Sequence, residues 1–232
     1  MKSIKQINAE YHGNLYSRTK LFEKGSWLEE SDDILLDIVQ KYIEDKKDAR
    51  ILDLGCGVGR NSIPIAKMIQ NNGGQLVCVD FLAIAIEKLK KNAIQHGVSD
   101  IIQSHIADIE LFNIEPKTFD IIIAQSVIEH GVENKEDFLK VIHSIQNGTK
   151  NGGINYLGIA TGLEEIDAKT NEQLRTDIGY SATYEEMQRC IRDLYNHWEI
   201  TCEEKEPYLE EYIKNGKMII WKTTFFMFAA KK

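Results

Sequence analysis

Along the middle of the chain, short apolar runs alternate with stretches whose apolar residues recur every three or four positions. RILDL, Arg50–Leu54, predicts a short buried strand. Residues 59–71 then carry Ile63, Ile65, Ala66 and Ile69 at helical spacing, and Asn71-Asn72-Gly73-Gly74 ends that helix. QLVCV (75–79) predicts a second strand. Residues 83–96 predict a helix with Ile86, Leu89 and Ala93 on one face and Gly97 as its stop. Residues 101–107 predict a third strand. FDIIIA (119–124), apolar at nearly every position, predicts a central fourth. A helix over 135–147 and a fifth strand over 154–160 complete the alternation, which implies a parallel sheet with helices on both faces.

The two ends read differently. Residues 31–42 predict a leading helix with Ser31 as candidate N-cap. Residues 183–195 predict a late helix opened by a Thr183/Glu186 capping box. Two strand-like runs, 198–204 and 218–230, have no helix between them. They predict an antiparallel hairpin joined by a long, charged loop.

Composition narrows the function classes. The 232 residues suit one well-buried core. Asp plus Glu (36) exceed Lys plus Arg (28), giving a net charge of −8, whereas a phosphate-gripping protein normally shows a basic face. No nucleic-acid partner is therefore expected. The N-terminal MKSIKQINAEYHGN lacks the apolar region of a secretory signal, and no apolar run is long enough to span a bilayer. Cys56, Cys78, Cys190 and Cys202 form no C-x-x-C pair, so a metal site is not expected. Free thiols without a signal point to the cytoplasm.

Chemistry concentrates in LGCGVGR. A glycine turn between a parallel strand and a helix presents free N–H groups and a positive helix end to a ligand. A dinucleotide fingerprint would read G-x-G-x-x-G, but Arg60 stands at its third glycine and Gly59 comes one place earlier. Asp80, ending the second strand, can take both hydroxyls of a ribose or can cap the following helix. Asp108, ending the third, can meet an adenine amino group between Phe81 and Ile109, or can be a turn aspartate. Asp53, a carboxylate in an apolar strand, needs a hydrogen-bonding partner such as the loop N–H groups, or a ligand cation.

ILDLGCGVGR, LVCVD, IADI and FDIIIAQSVIEH, in that order, resemble the successive motifs of class I S-adenosylmethionine-dependent methyltransferases over about residues 49–160. The resemblance implies a Rossmann-like α/β fold, with a seven-stranded mostly parallel sheet of order 3-2-1-4-5-7-6, strand 7 antiparallel and helices on both faces. It implies S-adenosyl-L-methionine as cofactor, held by Asp53, Gly55, Cys56, Gly57 and Gly59, by Asp80 and Phe81, and by Asp108 and Ile109. Gln125, Ser126 and His130 would line the cofactor and acceptor pocket. Within that class, GCGVGRNSIPIA and the tail IWKTTFFMFAAKK look most like the tellurite-resistance type, which implies a small-molecule acceptor. The N/D-P-P-Y/F signature of base methylation is absent after strand four.

On this reading residues 1–48 form a lid segment and leading helix, and 49–232 the methyltransferase domain. His130 is the candidate general base, and its other reading is a loop histidine. Tyr11, Tyr16, Arg18 and Trp27 in the lid, Arg60 after the glycine loop, and Arg175 and Tyr180 in a polar stretch after strand five are candidate acceptor contacts. The run 203–211 reads as a solvated charged face, and Trp198 and Trp221 as core. Two alternatives stand beside the small-molecule reading. One is a protein or RNA acceptor; the other is a module that binds S-adenosylmethionine or its product without catalysis.

Overall fold

The computed structural model describes residues 4–176, 178–214 and 216–232. Its centre is a parallel sheet. β1 (Arg50–Leu54) lies between β2 (Gln75–Asp80) and β4 (Phe119–Gln125). β3 (Ile102–Ile106) pairs outside β2, and β5 (Thr149–Asp167) outside β4. β8 (Lys217–Lys231) runs antiparallel to β5, and β7 (Glu199–Lys214) antiparallel to β8. The order is β3-β2-β1-β4-β5-β8-β7, with the two-residue β6 (Gln173–Leu174) paired to β5 off that path. Without β6, this is the expected seven-strand order with its antiparallel strand.

Alternation along each strand divides the core between the two faces. Ile51, Cys78, Ile121, Ile123 and Tyr156 pack against α2 (Asp33–Ile43), α3 (Ser62–Ile69) and α4 (Ala83–Gln95). Leu52, Leu54, Val79, Ile122, Leu157 and Phe228 pack against α5 (Ile128–Gly131), α6 (Lys135–Gly148) and α7 (Tyr184–Leu194). The Thr183/Glu186 capping box opens α7 as expected.

Three expectations are corrected. The N-cap of α2 is Asp32, whose carboxylate accepts from the Leu35 N–H; the Ser31 hydroxyl instead donates to the Arg60 carbonyl. The fifth strand continues to Asp167 past a bulge between Thr161 and Glu164. The charged stretch before residue 218 is strand, not loop: β7 and β8 are paired from Glu199↔Lys231 to Lys214↔Lys217. From Tyr208 to Lys214 half-buried and exposed positions of β7 alternate with period two, and Pro207 is tolerated because β7 is an edge strand.

The N-terminal segment forms α1 (Ile4–Arg18), which lies across the carboxyl ends of the strands. Lys5 Nζ pairs with Asp108 at 2.6 Å and also with Glu110, and Lys88 Nζ donates to the Tyr16 carbonyl. Among the described residues no helix is long and apolar enough to cross a membrane.

Candidate functional site

Two communicating cavities open at the carboxyl ends of the parallel strands, the usual ligand position of such sheets. The smaller, about 110 Å³, lies between α1 and the ends of β2 and β3, and its wall includes Asp80, Phe81, Asp108 and Ile109. The larger, about 1080 Å³, runs from the glycine loop to the β7–β8 ribbon. Gly55, His12, Tyr16, Ser126 and His130 border both.

The glycine loop places its backbone at this junction. Gly57 adopts φ +54°, and a Cβ there would lie 2.7 Å from the Tyr16 hydroxyl, so this position must stay bare. The Gly57 N–H donates to Asp80 Oδ2 at 2.9 Å, and the Leu82 N–H to Asp80 Oδ1 at 2.8 Å. Leu82, not Asp80, is the N-cap of α4. Each Asp80 oxygen accepts one backbone bond and keeps a lone pair for a hydroxyl donor in the small cavity. Burial pushes the Asp80 carboxyl above the usual range, opposed by those two N–H bonds.

Asp53 is buried, and its partner is the Ser62 hydroxyl at 2.6 Å, not the loop N–H groups. Burial raises its carboxyl to about 7, while the Ser62 bond works the other way. Asp108 accepts from the Glu110 N–H and from Lys5. Phe81 is exposed on one side of the small cavity, and Ile109 is buried beside it. Cys56 lines the large cavity as a buried thiol that burial holds protonated. Gln125 accepts from Asn61 at 2.6 Å and donates to Asp32 at 2.5 Å, so it ties α2 to α3 at the cavity wall. Ser126, at φ +52°, turns the chain from β4 into α5.

His130 sits on α5 with its ring 5.3 Å from that of His12 on α1, edge to face. Among the described residues, the Nδ1 atoms of both are buried with no hydrogen-bond partner, as are Asn8 Nδ2 and Trp27 Nε1. All four side chains line the cavities, so their walls present unsatisfied polar atoms that suit a polar ligand. Burial holds both imidazoles neutral, His12 down to about 4 and His130 to about 3, the latter helped by His12 itself.

The larger cavity collects Tyr11, Tyr16, Trp27 and Arg60 from the expected acceptor contacts. Three others lie elsewhere. Arg18, at the exposed end of α1, and Arg175, exposed beyond β6, reach neither cavity, and Tyr180 packs on Phe138 at 5.2 Å beside the core. Trp221 is a wall residue, whereas Trp198 packs on Tyr195 as core. Glu206 and Glu210, inside the supposedly solvated charge run, face the cavity as well. The signal for these was the period-two series Glu206, Tyr208, Glu210, Tyr212, Lys214, all five of which line it. His12 and Asn8 carried no sequence signal, because α1 has little amphipathic pattern.

The loop, the acid that orders it and the neutral histidine pair fit a polar ligand that carries hydroxyl donors. Among the described residues no cluster could hold a metal ion. A family model described as a methyltransferase domain matches residues 45–209. A ubiquinone biosynthesis O-methyltransferase of Methylocella silvestris is 35% identical over 81 residues, 35% of this chain and 29% of that protein. The mouse tRNA N(3)-cytidine methyltransferase METTL2 is 32% identical over 117 residues, 47% of this chain and 28% of that one. The matched stretch thus spans less than a third of either relative. TehB from Haemophilus influenzae superposes with a TM-score of 0.59 at 22% identity, over 84% of this chain and 62% of TehB. At that identity the likeness concerns the fold.

Proposed function

The chain belongs to the methyltransferase-domain family, and from that premise we propose that it methylates a small-molecule acceptor in the cavity between the glycine loop and the β7–β8 ribbon. S-adenosyl-L-methionine is the methyl donor, and when bound it supplies an electrophilic methyl group and a thioether leaving group. Asp80 would hold the ribose hydroxyls, Asp108, Phe81 and Ile109 the adenine, and Gly55, Cys56, Gly57 and Gly59 the amino-acid tail near Asp53. Gln125 and Ser126 complete the wall beside it. α1 excludes water from above, and confinement aligns the acceptor for an in-line displacement. His130, neutral and with a free Nδ1 in the cavity wall, would accept a hydrogen bond from the acceptor and is the candidate base for one that must lose a proton, although burial keeps its basicity low.

The observation that carries this reading is the depth and lining of the cleft. α1 and the ribbon bound a space of about 1080 Å³, close to the upper size of a small-molecule site. An RNA acceptor is the runner-up because relatives such as the mouse enzyme bear that name. Against it, among the described residues the wall carries nine carboxylic side chains and two permanently cationic ones, Arg60 and Lys214, a poor surface for a phosphate backbone. A cytoplasmic location fits the four free thiols.

Transfer of labelled methyl groups to a metabolite panel, set against total RNA and total protein, tests the proposal. Label in the low-mass fraction alone supports it. Label in RNA or protein replaces it with the runner-up. S-adenosylmethionine binding without transfer to any fraction favours a non-catalytic module.

A further inference from the structure

The inner face of the ribbon has a specific chemistry. Tyr208 on β7 meets Trp221 and Phe225 on β8, each with ring centres 5.6 Å apart and planes at 75° and 68°. Trp221 and Phe225 are themselves 6.3 Å apart at 55°. Three steeply inclined rings form an open corner rather than a stack. Strand pairing frames that corner with acids: Glu210 is opposite Trp221 on one side and Glu165 on the other, and Glu206 is opposite Phe225.

These carboxylates are not equivalent. Glu165 is neutralised within the wall, accepting from Lys214 Nζ at 2.7 Å and from the Tyr212 hydroxyl at 3.1 Å. Glu210 has one weak partner among the described residues, the Tyr208 hydroxyl at 3.3 Å, and Glu206 has none. Lys214 is engaged by Glu165, and Arg60 points its guanidinium toward the Glu30 carbonyl. The charge of Arg60 reaches Tyr208, but Glu206 and Glu210 form no ion pair among the described residues, and an aromatic corner flanked by such unpaired carboxylates is the combination that recognises an organic ammonium, through ring quadrupoles and ion pairing together. Trp27 Nε1, which can only donate, borders the same cavity without a partner and calls for an acceptor atom on the same molecule.

We propose that the methyl acceptor is an organic cation, its ammonium group anchored between Tyr208, Trp221 and Phe225 and paired with Glu206 and Glu210. This deepens the small-molecule reading and rests on it. The anchored ammonium orients the molecule; the atom that takes the methyl group lies toward the glycine loop.

Calorimetric titrations of the full chain with choline, with its uncharged carbon isostere 3,3-dimethylbutan-1-ol and with butyrate test the proposal, each run with and without S-adenosylhomocysteine. Choline is expected to bind about tenfold or more tighter than the isostere, the scale of a desolvated cation–π contact, and butyrate not to bind. Glu210→Gln and Trp221→Leu should each weaken choline about fivefold or more while leaving S-adenosylhomocysteine affinity unchanged, which also reports that they are folded. Equal binding of choline and the isostere, no choline binding, or preference for butyrate overturns the proposal. Failure of S-adenosylhomocysteine itself to bind sinks the methyltransferase reading instead, so the two failures are separable.

Discussion

The Tyr16 hydroxyl of α1 stands directly over Gly57, so close that a Cβ on the glycine would lie 2.7 Å from it. The helix and the loop therefore share one surface, and anything bound on the loop is also bound under the helix.

Gly57→Ala follows from that contact. The residue is held at φ +54°, where a Cβ costs on the order of 1–2 kcal/mol, and the new methyl meets Tyr16 besides. A lowered Tm together with at least tenfold weaker S-adenosylmethionine binding is expected, on the scale of about 1.4 kcal/mol per tenfold. Wild-type affinity in the variant would show that the loop is not the binding surface.

Asp80→Ala removes the acceptor that orders Gly57 and that faces the small cavity. Charged hydrogen bonds contribute about 1.5–3 kcal/mol each, so calorimetry should read a loss of roughly tenfold to a hundredfold in S-adenosylmethionine affinity. A change under twofold would mean that Asp80 only shapes the turn.

Lys5 ties α1 to Asp108 and Glu110 at the mouth of the small cavity. Partly exposed ion pairs are individually weak, about 0–1 kcal/mol. Lys5→Ala should raise the cofactor dissociation rate by about three- to tenfold in stopped flow, with little change in Tm. An unchanged rate would show that α1 does not gate release.

His130→Ala probes proton transfer. General base catalysis is worth about 10²–10⁴ in rate, so turnover should fall by about a hundredfold or more while S-adenosylmethionine affinity holds. A loss of affinity without a loss of turnover would make His130 a wall residue.

Glu129 gives a pH signature. It is buried, accepts from the Ala160 N–H at 3.0 Å, and burial raises its carboxyl to about 7 from an ordinary 4.5. A raised folded value means that the protonated form is favoured in the fold. Its stabilisation is complete below about 4.5 and is lost as pH rises through about 7. Glu129→Gln keeps the acceptor without the charge. The variant should match wild type in Tm at pH 4 and exceed it at pH 8 by roughly 4 °C, the shift that about 1–2 kcal/mol gives at this size. Parallel Tm curves would show that Glu129 does not titrate with folding.

What the chain disclosed before folding follows from how local each signal is. RILDL, LVCVD and FDIIIA are buried on both faces, so their continuous apolar runs and the glycine turn announced the strands and the loop, while the sheet order was implied only by the resemblance of the ordered motifs to a known family. β7 sits at an edge with one wet face, and its Glu-Lys-Glu-Pro-Tyr sequence reads as polar loop until its pairing with β8 is known. Asp32 displaced Ser31 as cap because the Ser31 hydroxyl is taken by the Arg60 carbonyl, a contact 29 residues away. His12 met His130 across more than a hundred residues, a closeness that only the placement of α1 creates.

The ribbon's two halves have different obligations. From Phe226 to Ala230, β8 is buried in the central sheet, although Met227 also borders the large cavity; from Lys217 to Phe225 the same strand combines buried Ile219 and Thr223 with the cavity-lining Trp221 and Phe225. Substitutions at Trp221 and Phe225 change the cavity wall, whereas those at Ile219 and Thr223 disturb buried packing as well. Cavity shape and buried packing are thus carried by neighbouring positions of one strand, so a graft of the outer half between relatives would alter both together.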